Sequence, residues 1–142
     1  MGTTTAYRQD VLVRVPPARA WDLLTDWAAA PAWLPGVTEM HAEGPLGPGT
    51  RIDLHTEGHE RTFTVADVEP GSLLVVTGGE GDVRTQYRYG IAREGADTRL
   101  TLEIDVEVSD SLAALAGDIR AAVAGSDGRQ LAAFKRFAER AP

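Results

Sequence analysis

Apolar and polar residues alternate from Tyr7 to Val15, with Tyr7, Gln9, Val11, Val13 and Val15 on one side and Arg8, Asp10 and Arg14 on the other. That period belongs to a half-buried strand, and Pro16-Pro17 ends it. From Ala18 to Asp26 the spacing changes to three and four, which puts Trp21, Leu24 and Thr25 on one helical face. Pro31 and Pro35 interrupt the next stretch, so a second short helical segment carries Trp27 and Trp33.

Turn signals then divide the chain at Gly44-Pro45, Gly47-Pro48-Gly49, Glu57-Gly58, Pro70-Gly71, Gly78-Gly79-Glu80-Gly81 and Glu94-Gly95-Ala96-Asp97. Between them six more strands are predicted, over about 38–43, 49–56, 60–69, 72–78, 82–93 and 98–108. The last two alternate most clearly, with Val83, Thr85, Tyr87, Tyr89 and Ile91 on one, and Leu100, Leu102, Ile104 and Val106 against Thr101, Glu103, Asp105 and Glu107 on the other. One face is buried and the other is wet.

After Ser109-Asp110, which can cap a helix, Leu112, Leu115, Ile119 and Val123 recur at helical spacing, and Leu131, Phe134 and Phe137 resume it. Gly125 and Gly128 lie between, each costing about 1 kcal/mol against alanine, so the helix is kinked there or broken in two. The order of periodicities predicts an antiparallel α+β fold: a bent sheet of about seven strands around a long C-terminal helix, with two short helices after the first strand. The 142 residues, with 43% hydrophobic content, suit a single domain spanning 1–142. A ligand would sit in the gap between sheet and helix.

Composition narrows the chemistry. The formal charge of −7 lacks the basic excess that nucleic acid requires. Cysteine is absent, which removes disulfides, thiolate nucleophiles and cysteine-held metals. No apolar run is long enough to span a bilayer, and the start, Met1-Gly2-Thr3-Thr4-Thr5-Ala6, lacks the blocks of a signal peptide and the Ser/Thr of a myristoylation motif. A cytoplasmic protein without a membrane partner is expected; monomer and homodimer stay open. Lys135 is the sole lysine among many arginines and alanines, a bias that suggests a high-GC bacterial genome.

The segment Val15-Pro16-Pro17-Ala18-Arg19-Ala20-Trp21-Asp22-Leu23-Leu24-Thr25-Asp26, followed by Pro31-Ala32-Trp33-Leu34-Pro35-Gly36-Val37, resembles the opening of START-like (SRPBCC) proteins of the polyketide cyclase/dehydrase-like kind. Further along, Gly49-Thr50-Arg51, the stretch from Val65 to Leu74, Ala96-Asp97-Thr98-Arg99-Leu100 and the helix from Leu131 to Glu139 continue the likeness in order. The resemblance implies a helix-grip fold of the Bet v 1-like/START-like type around a deep cavity for lipids, polyketides or other apolar compounds. Some members cyclise and dehydrate poly-β-ketone chains without metal or redox cofactor, and others only carry or sense a ligand. The arginine of the aromatic polyketide cyclases falls near Asp67 in this sequence, a departure from their pattern.

If the face shared by Val11 and Val13 lines the cavity, Tyr7 and Gln9 point there too, joined by Tyr87 and Tyr89. Trp33, Phe63, Leu102 and Phe134 complete the expected ligand-binding set. A buried phenol wants a partner and can donate to a ligand carbonyl or act as a general acid; the alternative is a core tyrosine satisfied by backbone or water. Tyr87 and Asp67 are the candidate catalytic pair. Asp67 shares parity with Val65 and Phe63, which would bury it and raise its pKa, whereas the apolar Val68 beside it and a strand-end twist would expose it. Arg61 and Arg88 could hold a polar ligand head, Arg88 with the parity of the solvent face. Trp21 reads as core, and Trp27 and Trp33 as neighbours of the cavity mouth, where they gate entry or serve as pegs.

His55 and His59, with Glu57 and Glu60, have metal-like spacing but sit on a strand and turn, so no metal is expected. His41 reads as surface or satisfied core. Ser72, Ser109, Ser111 and Ser126 lie outside any nucleophile elbow, Gly78-Gly79-Glu80-Gly81 reads as a hairpin turn, and Lys135 reads as solvated. A cofactor-independent cyclase or dehydratase acting on a polyketide intermediate is thus the first reading. A non-catalytic carrier or sensor of an apolar metabolite or lipid is the second. A co-chaperone using the same fold comes third, since no separate docking segment is evident.

Overall fold

A computed structural model describes residues 5–34, 36–56, 58–79 and 81–140; Pro35, Glu57, Glu80 and the 1–4 start, all named above, lie outside them. Seven strands, β1 Thr5–Val13, β2 Val37–Ala42, β3 Arg51–Thr56, β4 His59–Glu69, β5 Leu73–Gly78, β6 Val83–Glu94 and β7 Asp97–Val108, form one antiparallel sheet ordered β1-β7-β6-β5-β4-β3-β2. β1 and β2 are its edges. Glycines at positive φ close several of the connections, Gly71 (φ 84°) between β4 and β5 and Gly95 (φ 62°) between β6 and β7, as hairpin geometry requires.

Helix α1, Pro17–Leu24, starts on a proline whose missing N–H costs nothing at that position, and a 3-10 segment, Trp27–Ala32, follows it with Pro31 inside. A second 3-10 segment, Asp110–Leu115, leads into α2, Ala116–Asp127, and α3, Gln130–Arg140. The C-terminal helix is therefore broken, not merely kinked. Gly128 has φ −68°, open to any residue, so its role is spatial. A Cβ there would lie 2.8 Å from the Tyr7 ring and 2.4 Å from the Ala124 carbonyl oxygen, and the Tyr7 hydroxyl donates to the Gly128 carbonyl at 2.8 Å.

On the inner face, Ile104, Leu102 and Leu100 of β7 lie opposite Tyr87, Tyr89 and Ile91 of β6 and opposite Tyr7, Gln9 and Val11 of β1. Helices α2 and α3 rest on the β1 side of that face. Leu131, Phe134 and Ala138 of α3 are buried there, with Phe137 half-buried.

Lys135 is not simply solvated. Its ammonium donates to the Leu12 carbonyl of edge strand β1 at 2.8 Å and to Glu139 at 2.5 Å, and Glu139 accepts the Arg14 N–H at 2.9 Å. The Lys135 hydrogen bond, then the Arg14 N–H, hold the Glu139 carboxyl below its ordinary pKa. A depressed carboxylate contributes stability that is present above its unfolded pKa and lost as pH falls through the folded one. The melting temperature of the wild type should thus exceed that of Glu139→Gln near about pH 7, and the two should converge as pH drops below about 4. A gap that stays constant with pH would remove this clasp from the account.

Candidate functional site

The helices cover only one side of the inner face, and over β3 to β6 a cavity of about 330 Å³ remains, near the lower end of the roughly 300–1,000 Å³ usual for small-molecule sites. Its floor carries Ile52 and Leu54 from β3, Phe63 from β4, Leu74 and Val76 from β5, and Tyr87 and Tyr89 from β6. Leu24, Trp27, Ala30 and Trp33 close the top, Gln130 of α3 the helix side, and Met40 the β2 edge. Gly36 and Arg61 line it while exposed, which marks the opening.

Local geometry sets the wall chemistry. Gly78 faces Phe63 across the β4–β5 pair, and a Cβ on it would stand 2.4 Å from the phenyl ring, so a glycine is what lets that ring lie over β5. Phe63 meets Tyr87 edge to face, with centroids 5.6 Å apart, and the Arg61 guanidinium lies 5.5 Å from the Phe63 centroid. The Tyr89 hydroxyl donates to the Gln130 side-chain oxygen at 2.6 Å. Trp33 stands edge-on to Phe134 at 4.9 Å, and its indole Nε1 is buried with no hydrogen-bond partner among the described residues. The described lining includes no carboxylate and no imidazole.

A family model described as polyketide cyclase / dehydrase and lipid transport matches residues 4–139. The chain belongs to this family. Among solved structures it is similar to the Zhui aromatase/cyclase from Streptomyces sp. R1128, at 19% identity over 94% of this chain and 93% of that one, with a TM-score of 0.73. The MLL2253 protein of Mesorhizobium loti matches at 17% identity over 96% and 98%, TM-score 0.76. The di-domain aromatase/cyclase StfQ of the steffimycin pathway matches at 13% identity and TM-score 0.75; the chain covers 94% of itself but spans about half, 48%, of that structure. These likenesses establish the helix-grip architecture. No curated protein matches the sequence.

For this polyketide cyclase/dehydrase-like chain, four of the residues expected at the ligand, Trp33, Phe63, Tyr87 and Tyr89, do line the cavity. The others do not. Val13 and Leu102 are fully buried and Phe134 is 1% exposed, all packed in the core. Tyr7, Gln9 and Val11 share the expected face, but α2 and α3 lie over that edge. The Tyr7 hydroxyl is spent on the Gly128 carbonyl and the Gln9 side chain, Gln9 is exposed, and Val11 packs half-buried against the core. Burial raises the Tyr7 pKa and keeps its phenol protonated.

Asp67 is exposed, and its carboxylate accepts the Val68 N–H at 2.9 Å. The register slips between Val65 and Asp67, so an extra residue reverses the parity and turns Val68 toward the core instead. Arg88 is exposed, as its parity implies. Trp21 packs half-buried against the core, and Trp27 lies half-buried in the cavity wall. His55 pairs with Glu60 at 3.4 Å, and no metal-binding cluster occurs among the described residues. No described helix is long and apolar enough to cross a membrane.

Gln130 was not among the expected residues. The signal was present: it lies four residues before Phe134 and eight before Ala138, on the buried stripe of α3, and a polar residue on such a stripe is the informative exception.

Proposed function

We propose that the protein binds a flat, largely apolar small molecule of the polyketide type in the cavity over β3 to β6. The observation that carries this reading is a largely apolar chamber with a few polar side chains in its lining: Tyr87 and Tyr89 on the floor, Thr56 of β3, Gln130 of α3 and Arg61 at the opening. A few directed polar groups in an apolar wall orient a ligand without a large desolvation cost. The family supports a ligand of this class.

Cyclisation or dehydration of the bound molecule is a second reading, favoured by Arg61, one of the two arginines expected to hold a polar ligand head, which lines the cavity. A guanidinium facing the cavity could stabilise enolate charge. Binding stands first because the described lining offers neither carboxylate nor imidazole to take up a proton from the substrate.

The test uses 9-fluorenone, a rigid aromatic ketone, and a poly-β-ketone mimic. Fluorenone at 100 times its Kd should stabilise the fold by about 2.7 kcal/mol, read as a rise in melting temperature. The mimic should cyclise at its spontaneous product ratio. A ratio shifted by the protein and restored by Arg61→Gln would establish the second reading, and no response to either compound would reject the cavity as a ligand site.

A further inference from the structure

We propose that Trp33 and Gln130 form a donor corner that selects ligands presenting a carbonyl oxygen at their buried end. The inference rests on the cavity being a small-molecule site and specifies what the molecule must carry there.

Trp33 is 6% exposed and its indole N–H finds no acceptor among the described residues. A buried donor left unpaired is destabilising, and a buried tryptophan N–H ordinarily has a partner. Phenylalanine would make the same edge contact with Phe134 without that penalty, so packing alone does not account for an indole.

Gln130 poses the same question from the helix side. It is 6% exposed, on the face of α3 that otherwise buries Leu131, Phe134 and Ala138. Its oxygen is occupied by the Tyr89 hydroxyl at 2.6 Å, which fixes the amide and leaves its nitrogen as a donor that no described residue accepts from. An apolar residue would fill the position at lower cost.

Phe134, one helical turn beyond Gln130 on α3, carries the Trp33 ring on its own, so the two side chains flank the same part of the helix. Both side chains line the cavity. The Thr85 hydroxyl is the other buried group without a partner among the described residues, and it does not line this chamber. A carbonyl oxygen has two lone pairs and can accept from the indole and the amide together. A ligand lacking it would leave both donors unpaired, which is how a site built on hydrogen bonds rejects an analogue.

The experiment compares 9-fluorenone with fluorene, the same ring system with a methylene in place of the ketone, by calorimetric titration of the full chain. Wild-type protein should bind fluorenone at least about tenfold more tightly. Trp33→Phe and Gln130→Leu, each checked for a cooperative melt, should lose most of that preference through weaker fluorenone binding, with fluorene affinity kept or improved. Equal affinities in the wild type, or a preference that survives in both variants, would overturn the donor corner while leaving the cavity reading intact. If neither compound binds, the cavity reading fails and takes this inference with it. Should one variant not fold, the other and the wild-type comparison still decide.

Discussion

Phe134→Ala is expected to remove about 3–5 kcal/mol of folding stability, the usual cost of deleting a buried phenyl ring. Phe134 is 1% exposed at the point where α3 meets the sheet, stacked edge-on with Trp33 and tilted against Phe137 at 6.4 Å. Its loss leaves a hole that backbone relaxation fills poorly, because the break at Gly128 already fixes where α3 starts. It also removes the ring that supports Trp33 beside the cavity. Urea denaturation should show a lower midpoint with an unchanged slope. A loss under about 1 kcal/mol would mean that α3 is held mainly by other contacts, such as the Lys135 clasp.

The strand pattern was legible because turn residues and two-residue periodicity coincide: all seven predicted strands occur, each displaced by three residues or fewer at an end. The site was legible only in part, and the reason is geometric. Parity tells which face of a sheet a residue occupies but not which part of that face a helix covers. Tyr87 and Tyr89 occupy the same face as Tyr7 and Gln9, yet α2 and α3 lie over the β1 edge and leave β3 to β6 open. For Asp67 the sequence left both faces open, and the irregularity at Val65 to Asp67 inverts the strand parity and selects the exposed one, with the apolar Val68 turned to the core. Arg61, two residues before Phe63 and of the same parity, follows the rule and reaches the cavity.

That division of the inner face predicts opposite outcomes for tryptophan at two positions. Val76 lies on β5, hydrogen-bonded between β4 and β6, opposite Val65 and Tyr87, so no sheet edge explains why it is only half-buried. Its remaining exposure is to the cavity, whose wall it forms. Val76→Trp should therefore place the indole in the chamber, leave the melt cooperative and weaken fluorenone binding at least about thirtyfold, roughly 2 kcal/mol. Leu102 is fully buried on β7 and outside the cavity lining. Leu102→Trp has nowhere to put the added ring and should lose about 1–3 kcal/mol or more of stability by overpacking. Melting curves and fluorenone titrations of the two variants separate these cases. If Val76→Trp binds fluorenone as the wild type does, the ligand site lies elsewhere on the fold; if Leu102→Trp folds normally and loses binding, the chamber extends beneath the helices, where the sequence first placed it.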